Sequence, residues 1–182
     1  MIKGMLRKLI FKIKREQDIE ELVKMGLRIG KNFNKQGHVI IDPEHCWLIS
    51  IGDDVMLAAR VYILAHDAST KRYLDHTKIG IVNIGNTVFV GADSIILPGV
   101  NIGDNVIIAA GSVVSKNVPA NCVVGGNPAR IICTTDDYIQ KHKENMKHRP
   151  VYDVNWTTGK KITNEMKSKM IEQLKDGIGY IE

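Results

Sequence analysis

The stretch IGNTVF-VGADSI-ILPGVN-IGDNVI-IAAGSV-VSKNVP, residues 84–119, decides the fold. Written in sixes, its first slot is Ile or Val in every line and its fifth is Val or Ser in every line. The second slot reads Gly, Gly, Leu, Gly, Ala, Ser and is mostly small. A helix of about 3.6 residues per turn cannot hold a six-residue phase this long. A plainly alternating strand gives no reason for a small residue in the second slot of each six. An upstream block starting at Ile51, IGDDVM-LAARVY-ILAHDA, fits the same frame.

The pattern reads as a β-solenoid. Each six-residue unit supplies one short strand and one turn, and three units close a triangular coil of about 18 residues. The aliphatic first slot points inward and stacks on its equivalent in the next coil, burying a column that no single coil could bury. The small fifth slot also points inward, where the corner is crowded. Gly or Ala in the second slot is expected to let the backbone bend. The expected fold class is an all-β core, a left-handed parallel β-helix of hexapeptide repeats, an exception to the usual right-handed crossover. Short helical flanks complete it.

The phase breaks twice. Ile29 to Ile51 is 22 residues, one coil plus four, with the excess near D-P-E-H-C-W, residues 42–47. Ile63 to Ile84 is 21 residues, read as one coil plus three, with the interruption at 66–80. Loops leaving a rigid scaffold commonly carry function, and His66 stands at the base of the second. His76 lies in the same loop and is an alternative base. His45 falls on an inward slot if the phase runs on, so either it lines a site or the loop has slipped. Asp67 is expected to stabilise the turn. The predicted organisation is a helical segment over 1–26, the solenoid over 27–133 with its loop at 66–83, and a helical extension over 134–182.

Composition narrows the class. Of the 182 residues 44% are hydrophobic but only 5% aromatic, so the core must be aliphatic. The net charge is +5, and residues 1–15 alone hold six basic residues and no acid. The remainder is near neutral, unlike a uniformly basic nucleic-acid binder. The three cysteines form no C-x-x-C pair, which indicates neither a disulfide framework nor a zinc ribbon. No signal peptide or membrane-spanning run is read, and a cytoplasmic protein is expected. Residues 1–15 have helical apolar spacing with a basic face; they either cap the solenoid or touch an anionic membrane surface. A short helix is expected over 18–24, stopping at Gly26. After residue 133, helices are expected near 135–146 and over 164–175, ending at Gly177, with V-Y-D-V-N-W extended between them.

The hexads, the loop-base His66 and V-V-G-G-N-P-A-R, residues 123–130, together resemble the hexapeptide-repeat acyltransferases. The likeness covers roughly residues 27–133. It is strongest to the galactoside and maltose O-acetyltransferase branch, and within it to the sugar O-acetyltransferases of surface-polysaccharide synthesis. The resemblance implies a homotrimer with sites between neighbouring helices, acetyl-CoA as donor and a saccharide hydroxyl as acceptor, without a metal. It implies that His66 is the general base and that the backbone N–H of Ala92, after Gly91, holds the oxyanion. Phe89, Gly91, Ala92, Ala110, Ser115, Lys116 and Arg130 resemble the coenzyme contacts. A Trp often stands where Phe89 is, a Thr where Ser115 is, and a second basic residue where Cys133 is. Asp42 roughly matches an aspartate that touches the acceptor sugar, and His45 and Trp47 are expected as pocket walls.

Rival readings make different demands. The same fold carries γ-class carbonic anhydrases, whose three zinc histidines end in H-x-x-x-x-H; His38, His45, His66 and His76 offer no such pair. A non-catalytic scaffold would need neither a loop-base histidine nor G-N-P-A-R. An amino-sugar or xenobiotic N-acetyltransferase differs in its acceptor, and acceptor loops vary most. The H-G-x-T-like signature of serine acetyltransferases is not seen at His66.

Overall fold

Strands of two or three residues, joined by tight turns, wind into stacked triangular coils in the computed structural model, which describes residues 16–182. Three sheets form the sides. One joins Arg28–Ile29, Ile49–Ile51, Val82–Ile84 and Asn101–Ile102. The second joins Asn34–Lys35, Met56–Leu57, Phe89–Val90, Ile107–Ile108, Cys122–Gly125 and Arg130–Thr134. The third joins Ile40–Ile41, Tyr62–Ile63, Ile95–Ile96 and Val113–Val114. All pairings within these sheets are parallel except the last of the second sheet, where Arg130–Thr134 turns back antiparallel on Cys122–Gly125. The architecture is a left-handed β-helix.

The repeat and the core coincide. Ile84, Val90, Ile96, Ile102, Ile108 and Val114, the six first slots, are buried. So are the fifth slots, Val88, Ser94, Val100, Val106, Ser112 and Val118. First slots stack in register, as Ile63, Ile96 and Val114 do along the third sheet. Fully burying each such side chain contributes about 1.5–3 kcal/mol. The buried serine hydroxyls do not go unpaired: those of Ser94 and Ser112 both donate to the Ala109 carbonyl, at 3.1 and 2.5 Å.

The bend is not made where expected. The positive φ angles fall in the fourth slot: 56° at Asp54, 58° at Arg60, 55° at Thr87, 60° at Asp93 and 55° at Asn105. The second-slot glycines have a different job, close stacking. A Cβ on Gly85 would lie 2.7 Å from the Gly103 carbonyl carbon, and one on Gly91 would lie 2.5 Å from the Ala110 nitrogen.

The register locates both insertions. Ile84 pairs with Ile102, a step of 18, whereas Ile29 pairs with Ile51, a step of 22. The first insertion therefore has the four residues expected, taken up by a 3-10 turn at Cys46–Leu48. Ile51 pairs with Ile84, a step of 33. The second insertion is thus fifteen residues within a coil, the whole of 66–80, and the spacing from Ile63 is one hexad plus that loop rather than one coil plus three.

The helix Ile19–Lys24 is capped by the Asp18 side chain and ends before Gly26, at φ 111°. The basic stretch 1–15 lies outside the described residues. A second compact unit begins at Asp136. The helix Thr135–Met146 leads into it, and Val151–Tyr152 pairs in parallel with Tyr180–Ile181. Only the first part of V-Y-D-V-N-W is extended; Val154–Trp156 is a 3-10 turn because the Asp153 side chain accepts the Asn155 amide and caps it. The helix Asn164–Gln173 starts on a Thr163 cap. No helix among the described residues is long and apolar enough to cross a membrane.

Candidate active site

His66 stands where the chain leaves the coil. The first turn of the departing loop pairs antiparallel with its return, His66 opposite Ile79. The Gly80 amide donates to the Ala65 carbonyl at 2.9 Å and closes the neck. Gly80 stacks so tightly on the next coil that a Cβ there would lie 2.5 Å from the Gly99 nitrogen. Asp67 caps the 3-10 turn Ala68–Thr70 through the Ser69 amide at 2.8 Å and pairs with Lys78 at 2.6 Å. The Lys78 ammonium holds the Asp67 carboxyl down at about 2. A rigid neck thus presents a half-buried imidazole.

Beneath that imidazole lies Asp42, only 1% exposed. Its Oδ2 is 2.5 Å from His66 Nδ1 and also accepts the Ala65 amide at 2.9 Å. Its Oδ1 accepts the amides of Glu44 at 3.0 Å and His45 at 3.2 Å. Burial alone would raise this carboxyl's pKa, but the bonds from His66, Ala65 and Glu44 outweigh it and hold it below the usual carboxylate range. Asp42 is therefore ionised, and a carboxylate can only accept. In the neutral imidazole this contact puts the proton on His66 Nδ1 and the lone pair on Nε2. Asp42, expected as an acceptor contact, is buried, and its two oxygens accept from His66, Ala65, Glu44 and His45.

The four-residue insertion builds the rest. His45 has slipped out of the inward slot, and Cys46 and Ile49 fill the core in its place. The His45 ring lies 5.1 Å from that of His66 and 5.4 Å from that of Trp47, which is exposed. His45 Nδ1 is buried without a hydrogen-bond partner. Glu44 Oε2 lies 4.0 Å from His66 Nε2. Glu44 was missed in the sequence. Asp42 carried a signal there, as a carboxylate directly after Ile41 in a slot that otherwise holds no acid in the hexads starting at Ile51 and Ile84.

Asp42, His45 and His66 each place one possible ligand atom within 4.8 Å of the others. The set is two imidazoles and one carboxylate, not the three histidines of the zinc rival. Both Asp42 oxygens already accept from protein donors, so a metal there would have to displace one of them.

The remaining expected residues are divided between the His66 corner and others. Ser115 and Lys116 follow Val114 on the corner that His66 shares, beside a groove of about 360 Å³ lined by Asp67, Lys78, Gly80, Pro98, Gly99 and Ser115. Gly91, Ala92 and Ala110 follow the second sheet and occupy a different corner, with Phe89 exposed just before them. Arg130 begins the antiparallel edge strand, and its guanidinium bonds the Ala129 carbonyl at 3.0 Å. His76 is exposed, and its Nδ1 lies 2.5 Å from the Leu74 carbonyl. The chain does not bring His66 and Ala92 to one corner.

Residues 81–116 match the family described as bacterial transferase hexapeptide (six repeats). The protein CapG of Staphylococcus aureus is 40% identical over 147 residues, covering 77% of this chain and 85% of its own. The chain belongs to the bacterial hexapeptide-repeat transferase family. Among solved structures, this transferase is similar to a maltose O-acetyltransferase from Clostridium difficile 630, with 36% identity and a TM-score of 0.51 over 60% of this chain and 59% of that one. It is also similar to a hexapeptide-repeat acetyltransferase of Vibrio cholerae O1 biovar eltor complexed with acetyl coenzyme A, with 29% identity and a TM-score of 0.53 over 60% and 61% of the two chains. Each match spans about three fifths of the solved chain.

Proposed function

We propose that the chain is an acetyl-CoA-dependent O-acetyltransferase that moves an acetyl group to a saccharide hydroxyl, with His66 as general base. The observation that carries this is the buried Asp42 carboxylate 2.5 Å from His66 Nδ1. It favours the tautomer that leaves Nε2 of a half-buried ring free to accept a proton, as a base requires. Family membership and the acetyl coenzyme A in a related structure support the donor.

The step runs as follows. The acceptor O–H gives its proton to His66 Nε2 while its oxygen attacks the thioester carbonyl carbon. The tetrahedral oxyanion takes a hydrogen bond from the Ala92 N–H. Collapse breaks the C–S bond, and the thiolate of coenzyme A takes the proton back from the imidazolium. Asp42 is assigned here to His66 rather than to the acceptor, because it keeps the ring oriented and offsets its transient charge. Trp47 and His45 wall the acceptor.

His66 and Ala92 occupy different corners of one chain. A site using both needs the Ala92 corner of a second copy against the His66 corner of the first, which supports a closed homotrimer. Phe89, Gly91 and Ala110 would then line the coenzyme arm with Ser115 and Lys116, and Arg130 would stand at its outer end.

The test is thiol release from acetyl-CoA against a panel of sugars, for wild type and His66→Ala. Turnover that requires a hydroxyl acceptor and falls about 10²-fold or more in the variant supports the reading. A variant that keeps most of the rate removes His66 from the mechanism. Failure of the wild type to bind acetyl-CoA would leave the scaffold reading.

A further inference from the structure

The excursion that supplies Asp42 brings a second carboxylate to the opposite edge of the same imidazole. Asp42 Oδ1 accepts the Glu44 and His45 amides, which pins the backbone of this turn. From that anchor the Glu44 side chain stands 73% exposed, with Oε2 4.0 Å from His66 Nε2. Nε2 is the nitrogen left bare by the Asp42 contact. The reacting oxygen must come within about 3 Å of it. A substituent on the neighbouring carbon of the acceptor then comes within reach of Glu44, while the His45 ring lies 5.1 Å from that of His66 and 5.4 Å from that of Trp47.

We propose that Glu44 selects the acceptor: it admits neutral saccharides and excludes those with a carboxylate or phosphate beside the reacting hydroxyl. The inference rests on His66 as the base. A neighbouring hydroxyl can donate to the Glu44 carboxylate, a charge-assisted bond that also orients the ring. An anionic group at that place meets a like charge at a few ångströms and loses its water without compensation. Asp42 reinforces this, since it holds a second negative charge just below the imidazole.

The experiment compares kcat/KM for methyl galactoside and methyl glucoside with that for the matching galacturonide and glucuronide. Wild type, Glu44→Gln, Glu44→Lys and His66→Ala are assayed by thiol release at low and high salt. Wild type should favour the neutral member of each pair by about tenfold or more, and the gap should shrink as salt rises. Glu44→Gln should remove the preference and Glu44→Lys should reverse it. The same ratio in wild type and both Glu44 variants, with turnover still dependent on His66, overturns the selection by Glu44 alone. Turnover that survives His66→Ala overturns the base assignment and this inference with it. Absence of turnover on all four glycosides overturns the inference as stated for saccharides.

Discussion

Asp42 Oδ2 and His66 Nδ1 lie 2.5 Å apart although 24 residues separate them in the chain. The contact spans one coil and joins the two places where the hexapeptide phase fails. Together the two insertions seat an imidazole on a buried carboxylate.

Removing the charge of Asp42 tests that joint. Asp42→Asn keeps the shape but turns an NH₂ toward amides that need an acceptor. The expected result is a fall in kcat of about 10- to 100-fold with the KM for acetyl-CoA unchanged. The pH–rate profile should lose its wild-type shape, because the Nδ1 proton is no longer held. An unchanged profile would reduce Asp42 to a packing residue.

Acid should loosen the same joint. The folded-state pKa of Asp42 is lowered, so its contribution to stability is fully present above the ordinary carboxylate value. That contribution is lost as pH falls through the folded value. Urea midpoints measured from neutral pH down to about pH 3 should therefore fall more steeply in wild type than in Asp42→Asn. Asp67 and Asp93 also titrate low, beside Lys78 and Arg60, so only the difference between the two proteins isolates Asp42.

Two glycines of the coil should respond in different ways. Gly85→Ala forces a Cβ to 2.7 Å from the Gly103 carbonyl carbon, and the cost is overpacking of about 1–3 kcal/mol. Gly99→Ala meets nothing within 4 Å and carries only the penalty of φ 84°, about 1–2 kcal/mol. Chemical unfolding measures both. Replacing Gly99 with Asn should recover most of its loss, and Gly85→Asn should not, since the obstruction there is backbone.

Trp47→Ala should weaken the acceptor and spare the donor. An aromatic platform of this kind is worth about 0.5–1.5 kcal/mol, so the acceptor KM should rise up to about tenfold. Acetyl-CoA binding by calorimetry should not change. A weaker donor affinity instead would place Trp47 in the coenzyme groove.

How much of this was legible depends on range. The inward slots were readable because each hexad repeats one local environment, and Ser94 and Ser112 fit it as well as the valines do. The bend was misplaced because glycine has two uses, positive φ and close approach, and a sequence does not separate them. In this chain Thr87, Asp93 and Asn105 take the strained turn while Gly85, Gly91 and Gly103 take the tight stacking. The long loop was found, but its length in coil units was misjudged, since spacing alone does not say which strand pairs with which.

The sequence by itself determined the coil, its aliphatic column and the two breaks, because a six-residue phase leaves a short-range record in residue size and polarity. Tertiary structure alone decided that Asp42 faces inward beneath His66, that Glu44 reaches the other edge of the ring, and that Ala92 lies on a different corner. Those relations depend on how one coil sits on the next, and a shift of one residue in register would have turned each side chain to another face.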